Sequence, residues 1–267
     1  MRIQPHAAQK SFTFAPMQLH FTSMGQGQPL LILHGLLGAS DNWQTIGKML
    51  SERFAVYLID QRNHGRSPHS QEFNYRLLTE DLAEFIAVHK IEKPVLLGHS
   101  MGGKTVMNFA LSRPATPDKI IVADIMPKEY QPRHQLVFDG LQAIALPALQ
   151  SRKEADEILS RYVAAAAERQ FLLKNLTHGD KGYQWRMNLK SLAENFPAVH
   201  EGLVYSGKFS GPSLFAIGAK SDYCLAGDEK IAAQYFPQAS WKTFDAGHWV
   251  HAEKPTELVQ CIMDFAL

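Results

Sequence analysis

Short apolar runs at Leu30 to Leu33, Ala55 to Ile59, Val95 to Leu97, Ile120 to Ala123 and Leu214 to Ile217 punctuate the chain, each bounded by polar or turn-forming residues. Runs of this length that stay apolar without alternating are the signature of strands covered on both faces. Between them the period lengthens. Leu78, Leu82, Phe85 and Ile86 recur at helical spacing, and helices are predicted from Asn42 to Leu50, Leu77 to Val88, Met101 to Ser112, Lys230 to Phe236 and Thr256 to Phe265. Strands alternating with helices predict an α/β fold whose mostly parallel central sheet is covered by helices on both faces. Residues 10–23 read as two short strands ahead of the first parallel one, forming an antiparallel edge.

The alternation stops between Pro127 and Ser210. Helical periodicity continues there in Leu136, Leu141 and Ile144, in Ile158 and Tyr162, and in Phe171 and Leu172, with no convincing strand. The simplest account is a core formed by residues 1–126 and 211–267, interrupted by a helical cap over 127–210. A cap inserted after a strand that ends near Asp124 lies over the C-terminal edge of the sheet, where open α/β sheets bind ligands. Phe138, Leu141 and Phe171 are its candidates to line a pocket.

Composition narrows the function. At 267 residues, 45% hydrophobic and 20% charged, the chain suits one globular α/β domain with an insertion. Its 27 Lys and Arg stand against 26 Asp and Glu and are spread along the sequence, which leaves no electrostatic footprint for nucleic acid. Cys224 and Cys261 provide neither a disulfide framework nor metal-ligand spacing, so no metal site is predicted. Met1 to Ser11 lacks the apolar stretch of a secretory signal, and no run is long enough to span a membrane; a cytoplasmic location is the default expectation. The sequence assigns no oligomeric state.

The chemistry gathers at the ends of the predicted strands. Gly98-His99-Ser100-Met101-Gly102 follows Val95-Leu96-Leu97 and opens a predicted helix, the strand-turn-helix setting that a G-x-S-x-G nucleophile requires. The glycines admit a tight turn, and the helix N-terminus favours developing negative charge. His34-Gly35-Leu36-Leu37-Gly38 follows the first parallel strand, from which the N–H of Leu36, paired with that of Met101, can be aimed at an oxyanion. His34 itself reads as a structural hydrogen-bonder. Near the C-terminus, His248 follows Gly247 on a loop after a strand-like run; it is the candidate general base, with His251 as the rival. The acid is Asp124, at the end of the strand after the nucleophile helix, or Asp222, after the next core strand. Asp124 is favoured because one helix and one strand beyond Ser100 return the chain to the same sheet edge. The common Gly-x-x-Asp spacing, counted from Gly218, lands on Ser221 instead of Asp222.

Over nearly its whole length the sequence resembles the α/β-hydrolase superfamily, and within it the small bacterial acyl esterases of the YbfF type. The likeness rests on His34-Gly-Leu-Leu-Gly, Asp60-Gln-Arg-Asn-His-Gly-Arg-Ser67, Gly98-His-Ser-Met-Gly-Gly-Lys104, Asp124-Ile-Met-Pro127 and Gly247-His-Trp-Val-His-Ala-Glu-Lys-Pro255. It implies a cofactor-independent esterase or thioesterase acting on small acyl esters or acyl-CoA thioesters through a covalent acyl-enzyme. In this group Ser occupies the displaced position and the Asp of Asp-Ile-x-Pro supplies the acid, which supports Ser100, Asp124 and His248 as the triad. Arg62 and His64 read as turn-holding residues, and Lys104 and Trp249 as structural. Two alternatives keep the fold: carbon–carbon bond hydrolysis of diketones by the same residues, and a ligand-binding member with slow turnover. Haloalkane dehalogenation is disfavoured, since it uses a carboxylate where Ser100 stands.

Overall fold

The computed structural model describes residues 17–180 and 182–267. A seven-stranded sheet is built from β1 (Phe21–Met24), β2 (Gln28–Leu33), β3 (Phe54–Ile59), β4 (Val95–His99), β5 (Lys119–Ala123), β8 (Ser213–Gly218) and β9 (Ala239–Phe244), in the order β1-β3-β2-β4-β5-β8-β9. Only β1 is antiparallel to its neighbour β3; the other pairings are parallel. The predicted apolar runs are the buried centres of these strands: Leu30 to Leu33, Val95 to Leu97 and Ile120 to Ala123 are almost wholly inaccessible. An edge strand does precede the first parallel one, but as the single strand β1. Residues 17–20 are not a strand, and the remainder of the 10–23 prediction, residues 10–16, lies outside the described residues.

Helices cover both faces. α2 (Tyr75–Val88) and α3 (Met101–Ser112) pack on one, where Leu82, Phe85, Val106 and Phe109 meet Leu31, Leu33, Leu96 and Val122. α1 (Gln44–Leu50) and α11 (Pro255–Ala266) pack on the other, burying Ile46, Leu50, Leu258 and Ile262 against Leu30, Ile32, Leu97 and Ile121. α2 starts one turn ahead of the first periodic residue because Asn74 caps it, its side chain accepting from Leu77 N at 2.9 Å. The helix predicted from Asn42 begins as a 3₁₀ turn, Ser40–Trp43, and α9 spans Asp228–Tyr235. The chain lays down β2, moves to one side for β3, then crosses to the other for β4, so strand order reverses between β2 and β4. That reversal places the loops after β2 and β4 on either side of a crevice.

Between β5 and β8 lie α4 (Gln135–Gln142), a 3₁₀ turn (Leu146–Ala148), α5 (Arg152–Leu159), α6 (Ala166–Leu173), the strands β6 (Leu176–Gly179) and β7 (Gly182–Trp185), α7 (Leu189–Glu194) and α8 (Phe196–His200). β6 and β7 form an antiparallel hairpin absent from the sequence expectation. The segment has its own apolar cluster, including Phe138, Leu141, Leu159, Leu172 and Leu192, which continues into Leu37, Tyr75, Leu78 and Met101 beside the sheet's C-terminal edge. Among the described residues no helix is long and apolar enough to cross a membrane.

Candidate active site

Ser100 sits between β4 and α3 with φ 52° and ψ −118°, a conformation that L residues rarely adopt and that surrounding contacts must enforce. Its N–H donates to Ala123 O at 3.0 Å, extending the β4–β5 ladder into the turn, and its carbonyl accepts from Lys104 N at 3.0 Å. The two flanking glycines are steric requirements. A Cβ on Gly98 would overlap the Gly102 carbonyl, and one on Gly102 would overlap the Leu33 carbonyl. The turn is therefore wedged between β2, β4 and the first turn of α3, and it presents Ser100 to a cleft of about 840 Å³ measured to its open mouth.

His248 enters the same cleft from the loop after β9. Its Nδ1 donates to Asp124 Oδ2 at 2.7 Å. Asp124 is fully buried at φ 51°; Oδ1 accepts from Gly218 N at 2.8 Å, and Oδ2 also accepts from Ser221 Oγ. Three donors thus engage the two carboxylate oxygens, an environment that fixes a carboxylate beside an imidazole. Asp222 is elsewhere: its side chain is 74% exposed and pairs with Arg133 at 2.7 Å. The structure brings Ser100, His248 and Asp124 together at one sheet edge and leaves Asp222 outside the cleft.

The oxyanion candidates face the cleft as well. Leu37 N donates to His64 Nε2 at 3.1 Å and Ser100 N is bound to Ala123, whereas the N–H groups of Leu36 and Met101 donate to no described residue. His34 braces the donor loop: Nδ1 donates to Gly35 O at 2.8 Å and Nε2 accepts from Gln61 N at 3.1 Å. It serves the loop as an uncharged ring, its pKa lowered by burial.

Burial likewise keeps the neighbouring histidines neutral, pulling His64 and His251 down to about 3, His134 to about 4 and His99 well below its usual value. His251, the rival base, lies flat against Trp43 with ring centroids 4.5 Å apart and has no contact with Asp124. His99 donates from Nε2 to the His248 carbonyl at 2.9 Å, which anchors the loop carrying His248.

Sequence reasoning missed several lining residues. Tyr223 stacks on the His248 ring at 4.0 Å and shares a hydrogen bond of 3.1 Å with His134 Nε2. Trp249, expected to be structural, lines the cleft opposite Phe171 at 5.8 Å. Of the cap candidates, Phe171 lines the cleft, while Phe138 and Leu141 are buried inside the apolar cluster of 127–210. These neighbours meet only in space, and no local pattern in the sequence announces them. Lys104 matches its structural reading. Its buried Nζ donates to the carbonyls of His200, at 3.3 Å, and Glu201, with the rings of Tyr130 and Tyr75 at 4.9 and 5.4 Å.

A strained serine turn at the end of a central strand, a carboxylate-bound histidine across the sheet edge and a switch-point crevice define a class of fold, and comparison with known proteins agrees. Residues 28–255 match the family described as alpha/beta hydrolase fold, to which the chain belongs. The sn-1-specific diacylglycerol lipase ABHD11 of Danio rerio is 36% identical over 255 residues, covering 92% of this chain and 80% of that protein. Esterase YbfF of Escherichia coli is 33% identical over 236 residues, covering 88% and 91%. Among solved structures, a marine microorganism esterase superposes with a TM-score of 0.91 at 40% identity, covering 93% and 99%.

Proposed function

We propose that the chain is a serine hydrolase of carboxylic esters, with acyl-CoA thioesters as a second substrate class, in which Ser100, His248 and Asp124 act as nucleophile, general base and acid. The observation that carries this reading is the Asp124–His248 hydrogen bond at the rim of a cleft whose floor holds Ser100 on a strained turn. Ser100 Oγ attacks the ester carbonyl carbon while His248 Nε2 takes its proton. Asp124 holds the proton on Nδ1, so that Nε2 faces the nucleophile as an acceptor, and it stabilises the imidazolium that forms. Charge on the former carbonyl oxygen is met by the N–H groups of Leu36 and Met101, each such donor typically contributing about 3 kcal/mol. The imidazolium returns its proton to the departing alcohol or thiol, leaving an acyl-Ser100. Water then repeats the sequence, with His248 again as base, and releases the acid.

Residues 127–210 act in this reading as a cap on a core of 1–126 and 211–267. They supply Phe171, Leu172 and Phe196 to the wall facing Ser100, so acyl and alcohol preference resides there. The expected cytoplasmic location rests on the sequence.

The test is a panel of aryl esters, acyl-CoA thioesters and a diketone, assayed with purified wild type and with Ser100→Ala. Ester turnover is expected in wild type. Ser100→Ala is expected to retain less than about a hundredth of it, with a melting temperature close to wild type, because deleting one hydroxyl at a cleft exposes no core. Cleavage of the diketone alone, or a Ser100→Ala variant that keeps its activity, overturns the reading.

A further inference from the structure

The cleft is unbalanced in charge. Among the described residues lining it, Glu168 on α6 is the one carboxyl, and no Lys or Arg joins it. Its ordinary pKa is raised by burial, and the neighbour acting against that rise is His248. Tyr223, the residue stacked on His248, has its pKa raised chiefly by burial, with Glu168 among the smaller contributors. Glu168 lines the same cleft as Ser100, Tyr223 and His248 and is hydrogen-bonded to none of them. Two cations close to the lining residues are engaged with other groups. Arg133 is paired with Asp222 at 2.7 Å, and Lys104 is behind the rings of Tyr75 and Tyr130, donating to backbone carbonyls.

We propose that Glu168 is a specificity-determining residue that selects substrates whose substituents inside the cleft are uncharged over those that place an anionic group there; the phosphates of a CoA thioester, at the far end of the pantetheine arm, fall outside this selection. The proposal rests on the ester-hydrolase reading above and adds the electrostatic class of the substrate. An anionic substituent entering the cleft meets a carboxyl of like sign and no guanidinium or ammonium to pair with. Two carboxylates sharing a partly desolvated site cannot both stay ionised cheaply, so binding must take up a proton or bear the repulsion. An uncharged hydroxyl or amide N–H at the same place escapes this and can donate to Glu168. The apolar remainder of the wall, including Phe171, Leu172 and Trp249, reinforces the same preference.

Two matched substrate pairs test it, each differing by carboxylate against carboxamide. One pair is the 4-nitrophenyl esters of adipic and adipamic acids; the other is the butanoate esters of 4-hydroxybenzoic acid and 4-hydroxybenzamide. kcat/KM is measured for wild type, Glu168→Gln and Glu168→Lys. Taking the amide-to-carboxylate ratio of each enzyme and comparing ratios between enzymes cancels the intrinsic reactivity of each ester and any general loss of activity. The ratio is expected to fall on the order of tenfold from wild type to Glu168→Gln in at least one pair, and further in Glu168→Lys. Ratios unchanged in both pairs overturn the role of Glu168 while leaving ester hydrolysis intact. Failure of wild type to cleave either carboxamide ester overturns the ester reading itself, and the proposal with it.

Discussion

At the scale of single residues, the arrangement around Asp124 separates the two candidate acids on physical grounds. Asp124 is buried and accepts from Gly218 N, Ser221 Oγ and His248 Nδ1, whereas Asp222 points to solvent beside Arg133. Asp124→Asn replaces a carboxylate that holds the imidazole tautomer with a group of the same shape that cannot do so. It is expected to lower kcat on the order of 10⁴-fold with little change in KM. Asp222→Asn removes one arm of an exposed ion pair, worth at most about 1 kcal/mol, and should leave kcat near wild type. Steady-state kinetics of the two variants under one condition decide the matter: a severe loss at Asp222 with normal turnover at Asp124 reverses the assignment. Asp124 was legible because its register after Ser100 follows from one helix and one strand, a count that needs no tertiary information. Tyr223, stacked on His248, and Glu168, which lines the same cleft, were not legible, since each arrives there through space from a segment whose own pattern is ordinary.

At the scale of elements, the loop from Asp60 to Ser67 contacts α2, the 127–210 segment and the loop after β2 at once. Arg62 clamps α2 through Asp81, with contacts of 2.5 and 2.6 Å. Asn63 Nδ2 donates to Ser191 Oγ in the 127–210 segment at 3.0 Å. Asp60 accepts from Ser40 N at 2.7 Å and Arg66 N at 2.9 Å, and the Ser67 hydroxyl donates back to the Asp60 carbonyl at 2.5 Å. His64 does the work closest to the chemistry: its Nε2 accepts from Leu37 N, which leaves Leu36 as the turn's free donor. The sequence reading of Arg62 and His64 as turn-holders agrees with this, although which backbone they hold was not visible, because the partners lie dozens of residues away. His64→Leu removes the acceptor and is expected to lower kcat about tenfold or more, short of the 10²–10³ that loss of an oxyanion donor itself costs. His64→Gln keeps an acceptor at similar reach and should recover part of that loss. Equal kcat in the two variants, compared with their melting temperatures, would show that the loop needs only the volume of the ring.

At the scale of the whole molecule, the helical character of residues 127–210 was readable from periodicity, while the hairpin of β6 and β7 was not, because its strands are four residues each and carry Thr, His, Gly and Gln in place of an apolar alternation. How that segment is tied back to the sheet was also hidden: a lysine in a Gly-Gly-Lys sequence gives no hint that its ammonium is buried. Lys104 leaves α3 one turn after Ser100 and donates to the carbonyls of His200, the last residue of α8, and of Glu201 just beyond it, so the helix that follows Ser100 and the chain after α8 share one cation. Burial lowers the Lys104 pKa from 10.5 to about 7, against the opposing pull of Glu201 and Glu129. The linkage has a definite sign. Between about pH 7 and 10.5 the unfolded chain binds the Lys104 proton more tightly than the folded one, so this residue's contribution to stability is complete above the unfolded pKa and is lost as pH falls through the folded value. Lys104→Met keeps the length of the side chain and removes the titration. Its melting temperature relative to wild type should therefore be most favourable near pH 7 and fall steadily toward pH 10, other groups cancelling between the two proteins. Thermal melts of both proteins across that range measure the difference directly. A difference that stays constant with pH would mean that Lys104 keeps its proton throughout, held by the two carbonyls and the flanking tyrosine rings as a permanently charged tether.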